Sequence, residues 1–524
     1  MKPKSRRQLL ALAGTAAATV VGGTYALASR RQPHDNGTEP SSDPHDPSID
    51  LEFERPELEF EPDSSSDTPS DAEEPTREES RSVRGENIRD HGAVSNPDDS
   101  SVEEAIRNLE AIIGAMNAAG EGGAVYVPAG TYYFGGEHAP FFEFGDREPA
   151  GISLYGDGPT RSVLGISRTN RDIRSPSDDW TGFYYDDKGG SGHGVDHGTV
   201  RFEHIKLDGN YEHLPNLSEA GGASRGIDVH GDGEFHLYNV HLRGWYQNSF
   251  KGRTSVGTVT YCTFEDTGIG RHNDTDGGSI SHHTSIRPSK GETSLVARCH
   301  FIDCAGSAIN WGYHDGTLKI RNCYVEGTGA NFMKLSAGGI LELRNIYHIA
   351  NTDSLEEKIK ERPDGHNFWG RNFIQSLHER GEKNVTIDSK NVVSREIREY
   401  AIQSRNTSTI TWKGDLIAFH NINTAYDNEV IRARSGGKFA DIDINRLSVH
   451  NTNGVVFDLD KANGSINELH RSGTEGLGQV DNLVVNSDNN GANPFEPPHP
   501  TPREVGINTI PWEWEHSVSQ DNAI

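Results

Sequence analysis

Along most of the chain, apolar and polar residues alternate in short runs that return at a regular interval. A pattern of polar, apolar, any, apolar appears as His204-Ile205-Lys206-Leu207, Asn239-Val240-His241-Leu242, Tyr261-Cys262-Thr263-Phe264 and Arg298-Cys299-His300-Phe301. It returns as Asn322-Cys323-Tyr324-Val325, Arg446-Leu447-Ser448-Val449 and Asn482-Leu483-Val484-Val485. Period-two alternation predicts a strand in each copy. Copies lie 22 to 24 residues apart, or about 35 where a loop is inserted, and a fixed period of this size marks a repeat architecture. A second apolar position follows the first by ten residues: Val240 and Phe250, Cys299 and Ile309, Cys323 and Met333, Val392 and Ile402, Leu447 and Phe457. Each coil therefore contributes two strands joined by a turn of constant length, and stacked coils bury equivalent residues in ladders. The predicted fold is all-β, a right-handed parallel β-helix. Near its start the period changes. Ser101-Val102-Glu103-Glu104 reads as a capping box, and Val102, Ile106, Leu109, Ile113 and Met116 follow at helical spacing. This predicts an α-helix over 101–118 that caps the N-terminal end of the β-helix and hides its apolar edge.

The pattern fails at both ends of the chain. Lys2, Lys4, Arg6 and Arg7 precede an apolar run from Leu9 to Ala28, and Arg6-Arg7-Gln8-Leu9-Leu10 resembles a twin-arginine export signal. Ala26-Leu27-Ala28 offers a cleavage site; the alternative is an uncleaved membrane anchor. Four segments are expected: a signal peptide over 1–29, an acidic disordered linker over 30–85, the β-helix over 86–492, and a Pro-rich tail over 493–524 that carries Trp512 and Trp514. The expected location is secreted or at the cell surface, without stable membrane insertion once the signal is cleaved, and the expected state is a monomer. The chain has 78 acidic against 50 basic residues and a net charge of -28. That balance argues against nucleic acid as a partner, which needs a basic footprint, and suits solubility in salt-rich surroundings. With 58 glycines and 3 methionines the composition is that of a turn-rich β protein.

Asp90-His91-Gly92-Ala93, a helix, then Gly122-Gly123-Ala124-Val125-Tyr126-Val127-Pro128-Ala129-Gly130-Thr131-Tyr132 resembles the opening of pectate-lyase superfamily β-helices, including secreted members from salt-loving archaea. The resemblance covers roughly residues 86–490. It implies the fold and leaves the reaction open, because the fold hosts lyases, hydrolases, epimerases and adhesins. Cys262, Cys299 and Cys323 share one apolar position of the repeat and are expected in a buried ladder, with Cys304 close by; a zinc site is the alternative.

The second strand carries the candidate chemistry. Phe250, Ile309, Met333, Ile402 and Phe457 are expected to point inward, with Ile227, Ile280 and Ile431 as their equivalents. Residues one and three further on then face solvent. They include Asp228 and His230, Lys251 and Arg253, Ser281 and His283, Asn310, Lys334, Arg405, Arg432 and Arg434. A basic face on an acidic protein suggests a groove for an anionic polysaccharide, the expected partner. Between Cys262 and Cys299 an insertion adds Arg271, Asn273, Asp274, Asp276, His282, His283 and Arg287; Trp245, Trp311 and Tyr313 are expected to stack on sugar rings, and His314 and Asp315 follow. For β-elimination the candidate bases are Lys251, Lys334, Arg271 and His283, with Asp274 and Asp276 as ligands for calcium. For hydrolysis of the polygalacturonase type the candidate carboxylates are Asp274, Asp276 and Asp315. Asn310, Trp245, Trp311, Arg253, Arg405, Arg432 and Arg434 are the candidate substrate contacts. A lyase is placed first, a glycoside hydrolase second, and a non-catalytic carbohydrate-binding or structural surface protein third.

Overall fold

The computed structural model describes residues 85–491 apart from segments 138–139, 145–147, 170–180, 186–197, 211–224, 254–255, 269–281, 313–314, 361–371, 378–382 and 423–428 and positions 232, 337, 407, 453 and 461. These residues form one sheet of 18 strands and one of 12, with parallel pairing in both. Each coil sends a long strand to the larger sheet and a short one to the smaller, as Glu234–Arg243 and Asn248–Arg253 do. Parallel neighbours need a crossover, and such crossovers are right-handed in about 98% of cases. The molecule is a right-handed parallel β-helix.

In most coils the residue that opens the repeat turns the corner. Asn239, Asn322, Asn345 and Asn391 have φ of 52°, 53°, 55° and 55°, in the left-handed region that short amide side chains tolerate. Asn345 Nδ2 donates to Asn322 Oδ1 at 2.8 Å, and Asn391 Nδ2 donates to Asn345 Oδ1 at 2.9 Å. The corner is thus held by an amide ladder along the axis. His204, Tyr261, Arg298 and Leu416 take the same conformation, so the corner is not reserved for Asn.

Just past the corner lies the apolar ladder. Val240 pairs with Ile205, Cys323 with Ile346, Ile346 with Val392, Val392 with Ile417, Ile417 with Leu447 and Leu447 with Leu469. The Cys299 thiol lies between those of Cys262 and Cys323, and burial pushes its pKa up. All four cysteines are free and buried, small hydrophobes in the core. Two details of the sequence reading are corrected. Ile346, Ile417 and Leu469 are rungs that the pattern search passed over. Leu483 is not a rung of this ladder, since it pairs with Gly464 on the other side of the corner.

The first helix, α1 (Val102–Ala119), is capped by Ser101, whose Oγ accepts from Glu104 N at 3.2 Å. Its buried face is Ala105, Asn108, Leu109, Ala111, Ile112, Ala115 and Met116, and Ile106 is 36% exposed. The stripe is therefore rotated from the expected one. Small alanines let the helix approach the first coils closely, and Gly135 N donates to Ala105 O at 3.1 Å. Buried Asn108 is fully used: its Nδ2 donates to Asn96 Oδ1 and Tyr133 O, and its Oδ1 accepts from Val94 N. A second helix, α2 (Asp353–Lys360), is clipped to the outside of the coils. Lys358 Nζ donates to Asp266 Oδ1 at 2.6 Å and to Asp303 Oδ2 at 2.5 Å, two carboxylates that are nearly without exposure. Burial alone would lower the Lys358 pKa, but these two carboxylates hold it above its usual value.

Phe301 stacks on Phe264 at 4.9 Å inside the helix and is fully buried. Phe301→Ala is expected to cost about 3–5 kcal/mol of stability in urea unfolding, from lost transfer energy plus a cavity. A loss below about 1 kcal/mol, the range of a tolerated repacking, would mean that this ladder does not carry the core.

Candidate functional site

Because the 12-stranded sheet stacks in register, its outward residues form rows parallel to the helix axis. One row runs through Arg225, Asn248, His282, Ser307, Asn331, Asn372, Tyr400 and Glu429. A second, three residues further along each strand, runs through Asp228, Lys251, Ser285, Asn310, Lys334, Gln375, Gln403, Arg432 and Asp458. A third includes His230, Arg253, Arg287, Gly312, Ser336, Arg405 and Arg434. The position between the second and third rows points inward and holds Ile286, Trp311 and Leu335.

The rows lie outside the core, yet Asp228, Asn248, Lys251, His282, Ser285, Asn310, Asn331, Asn372 and Gln403 are all buried. Burial of polar groups requires partners, and most are bonded along the axis. Asn372 Nδ2 donates to Asn331 Oδ1, Asn331 Nδ2 donates to Ser307 Oγ, Asn310 Nδ2 donates to Ser285 Oγ and Gln375 Nε2 donates to Gln403 Oε1. Several buried atoms in the middle of these rows have no partner: Asn248 Oδ1, His282 Nδ1, Asn310 Oδ1 and Asn372 Oδ1.

Charge is concentrated at the N-terminal part of the rows. The Asp228 carboxylate is 0% exposed. Around it stand Arg225 NH1 at 3.1 Å, His230 Nε2 at 2.8 Å, Lys251 Nζ at 3.7 Å and Arg253 NH2 at 3.8 Å. Three permanent cations thus gather on one buried carboxylate. Arg287 and Lys334 lie further along the rows. The His282 imidazole is held neutral, its pKa pushed well below the usual value by burial and then by the charges of Lys334 and Arg287. Further on, Arg432 is already matched by Glu429 and Asp458, each at 3.4 Å, and donates to Tyr400 OH at 2.8 Å. Arg405 is half-buried and Arg434 exposed.

Several candidates are placed differently from expectation. His283 faces the interior, its ring beside Phe264 and Phe301 and its Nδ1 2.7 Å from Thr267 Oγ1. The register explains this: Thr284, not Ile280, is the equivalent of Phe250, so Ser285 and Arg287 take the outward positions given to Ser281 and His283. Trp245 is buried in the core with Nε1 donating to Leu207 O at 3.3 Å, and Trp311 fills the inward position of its strand. Neither presents a ring to solvent. Lys251 is buried against Asp228 instead of standing free. Asp315 lies on the exposed turn before Thr317, where Lys383 Nζ sits 3.0 Å away and holds its carboxyl below the usual range. Arg253, Asn310, Lys334, Arg405, Arg432 and Arg434 fall on the outward rows. Arg271, Asp274, Asp276, Tyr313 and His314 lie outside the described residues. Among the described residues no group of three or more His, Cys, Asp or Glu could hold a metal ion, so the calcium expectation stays with Asp274 and Asp276 and no step below depends on it. The sequence reading named His282 and Arg287 only within the insertion and gave them no role; it missed Gln375. Anchoring the coil on Arg287, which pairs with Arg253, would have placed the first two. Gln375 follows an insertion that broke the ten-residue offset.

No protein-family model matches the chain, and no curated protein matches it. Three solved structures illustrate what it is similar to. The Yersinia enterocolitica family 28 exopolygalacturonase is 13% identical over 76% of this chain and 77% of that one, with a TM-score of 0.47. PfbA, a surface adhesin of Streptococcus pneumoniae, is 13% identical over 77% and 92%, with a TM-score of 0.45. The mannuronan C-5 epimerase AlgE4 A-module of Azotobacter vinelandii is 12% identical over 78% and 97%, with a TM-score of 0.34. These likenesses carry no argument about reaction, which rests on this chain's own residues.

Burial pushes the pKa of His283 down to about 3. Below pH ~6.5 the unfolded chain takes up a proton here that the folded chain refuses until far lower pH, so acidification destabilises the fold. His283→Gln is expected to flatten stability against pH between 6 and 4 by up to about 1.4 kcal/mol per unit in urea titrations; an unchanged slope would place the imidazole in water. Asp228→Ala removes the carboxylate among Arg225, Lys251 and Arg253, and should cost about 3–5 kcal/mol in the same assay. A neutral result there would show that solvent already screens the cluster.

Proposed function

We propose that the protein is exported and acts on an anionic, uronic-acid-containing polysaccharide along the outward rows of the 12-stranded sheet, by β-elimination. The observation that carries this reading is His282: a neutral, buried imidazole with an unpartnered Nδ1, influenced by the charges of Lys334 and Arg287. The rows run along the coil axis at about 4.8 Å per coil, so an extended sugar chain can lie across several. Cations beside a uronate carboxylate withdraw charge and acidify the C5 proton. Arg287 and Lys334 fill that role, and His282 Nδ1 accepts the proton. The C5–H electron pair forms the C4=C5 double bond as the C4–O bond breaks, and the departing oxygen takes a proton from solvent. His282 then returns its proton to water. Asn248, Asn310 and Asn372 offer free carbonyl oxygens to sugar hydroxyls.

The test is incubation of the protein with uronic-acid polymers at high salt, following ultraviolet absorbance of the unsaturated product and the appearance of reducing ends. His282→Gln is expected to lower kcat by about 10²–10⁴-fold with KM little changed. Lys334→Ala should raise KM as well. Reducing ends without absorbance would replace elimination by hydrolysis. Binding without either product would make the protein a non-catalytic carbohydrate binder. Full activity of the His282 variant would remove the imidazole from the mechanism.

A further inference from the structure

Charge along the middle of the 12-stranded sheet is spaced at a regular interval. Five successive strands stack there: His282–Arg287, Ser307–Gly312, Asn331–Ser336, Asn372–Leu377 and Tyr400–Arg405. The first, third and fifth each carry one permanent cation, Arg287, Lys334 and Arg405, half-buried on the outward rows. The second and fourth contain no charged residue. Cations therefore recur every second coil, roughly 9.6 Å apart along the axis at about 4.8 Å per coil. The alternation ends on both sides, where Asp228 holds Lys251 and Arg253, and Glu429 and Asp458 hold Arg432. The two neutral strands share one chemistry. Asn310 Nδ2 donates to Ser285 Oγ at 3.2 Å, and Gln375 Nε2 donates to Gln403 Oε1 at 2.9 Å. Each amide thus spends an N–H along the axis, and Asn310 Oδ1 is left without a partner. An amide carbonyl oxygen only accepts, so it takes a hydroxyl or an amide N–H and repels a carboxylate.

We infer that these rows are built for a polymer in which a uronate alternates with a neutral sugar bearing a hydroxyl or N-acylamino donor, and not for a homopolymer of uronate. The inference rests on the reading of the rows as a polysaccharide site and goes further by naming the repeat. One sugar of an extended chain is about as long as one coil step, so a disaccharide spans two. With one carboxylate at Arg287, the next two fall at Lys334 and Arg405. The neutral sugars between them fall at Asn310 and Gln375. A homopolymer would press carboxylates against both amide carbonyls as well. Selectivity then comes from what the neutral strands repel as much as from what the cations attract. His282 shares a strand with Arg287, so the uronate over that strand is the one that loses its C5 proton.

The experiment has two arms, with hyaluronan as the alternating polymer and polygalacturonate and alginate as the polyuronates. In the first, the full chain is assayed for the ultraviolet absorbance of unsaturated product. Its kcat/KM on hyaluronan is expected to exceed that on either polyuronate at least about tenfold, or ~1.4 kcal/mol of discrimination. In the second, the full chain carrying His282→Gln is titrated by calorimetry with the same polymers, matched in length and salt. The same tenfold order is expected in Kd. Gln375→Lys puts a cation on a neutral strand, and Lys334→Gln removes one from a charged strand. Each should shrink the preference for hyaluronan about threefold or more, the size of an exposed charge contact, with the urea midpoint unchanged. Elimination without this preference would overturn the alternating repeat and leave the elimination reading standing. Preferential binding of hyaluronan with no unsaturated product would keep the repeat and remove the elimination reading. Binding of none of the three polymers would overturn both. A preference that neither substitution moves would place the discrimination on other residues and overturn the inference equally.

Discussion

Everything in this molecule depends on one constraint: residues at the same place in successive coils must stack directly on one another. Parallel pairing enforces it, since a slip of a single residue would exchange buried and exposed faces. The consequence inside is a continuous ladder of Ile, Val, Leu and Cys. The consequence at the corner is a file of residues with positive φ, where Asn322, Asn345 and Asn391 join amide to amide. Cys262, Cys299 and Cys323 serve in that ladder as small buried hydrophobes.

The same stacking acts on the outside, where it brings like charges together as readily as it brings apolar groups together. Lys251 and Arg253 sit on one strand, Asp228 and His230 on the next, and Arg225 opens the first row. A buried carboxylate compensates three cations there. At the far end Glu429 and Asp458 do the same for Arg432. Between these two neutralised ends lies a stretch of buried amides with Arg287, Lys334 and the neutral His282. Buried acceptors without a partner, Asn248 Oδ1, Asn310 Oδ1 and Asn372 Oδ1, lie along this stretch, and buried polar atoms left in that state call for a partner.

Insertions decorate the coils without disturbing the register of the coils on either side. Helix α2 enters between Ile349 and Asn372, and the coil resumes with Asn372 stacked on Asn331. Lys358 of the insertion joins Asp266 to Asp303, two buried carboxylates from adjacent coils, the first of which also has Arg243 Nε at 3.4 Å. Such a clip holds an insertion to the body by charge where little apolar area is available.

The amino-acid sequence alone determined the β-helix, the two strands per coil and the cysteine ladder, because a period of fixed length and a constant offset are one-dimensional signals of a one-dimensional stack. It also identified which of Lys251, Arg253, Lys334, Arg405 and Arg432 share a face, wherever the offset ran unbroken. The orientation of His282 and His283 was decided by tertiary structure, since an insertion erased the local count and only pairing with Asn248 and Thr284 with Phe250 restored it. Trp245 and Trp311 were equally undetermined by sequence: an aromatic next to a turn can stack on a sugar or fill a core, and the depth of the coil interior chose the core. Burial of the outward polar rows was likewise set by tertiary structure, because alternation tells which way a side chain points and says nothing of what lies against it.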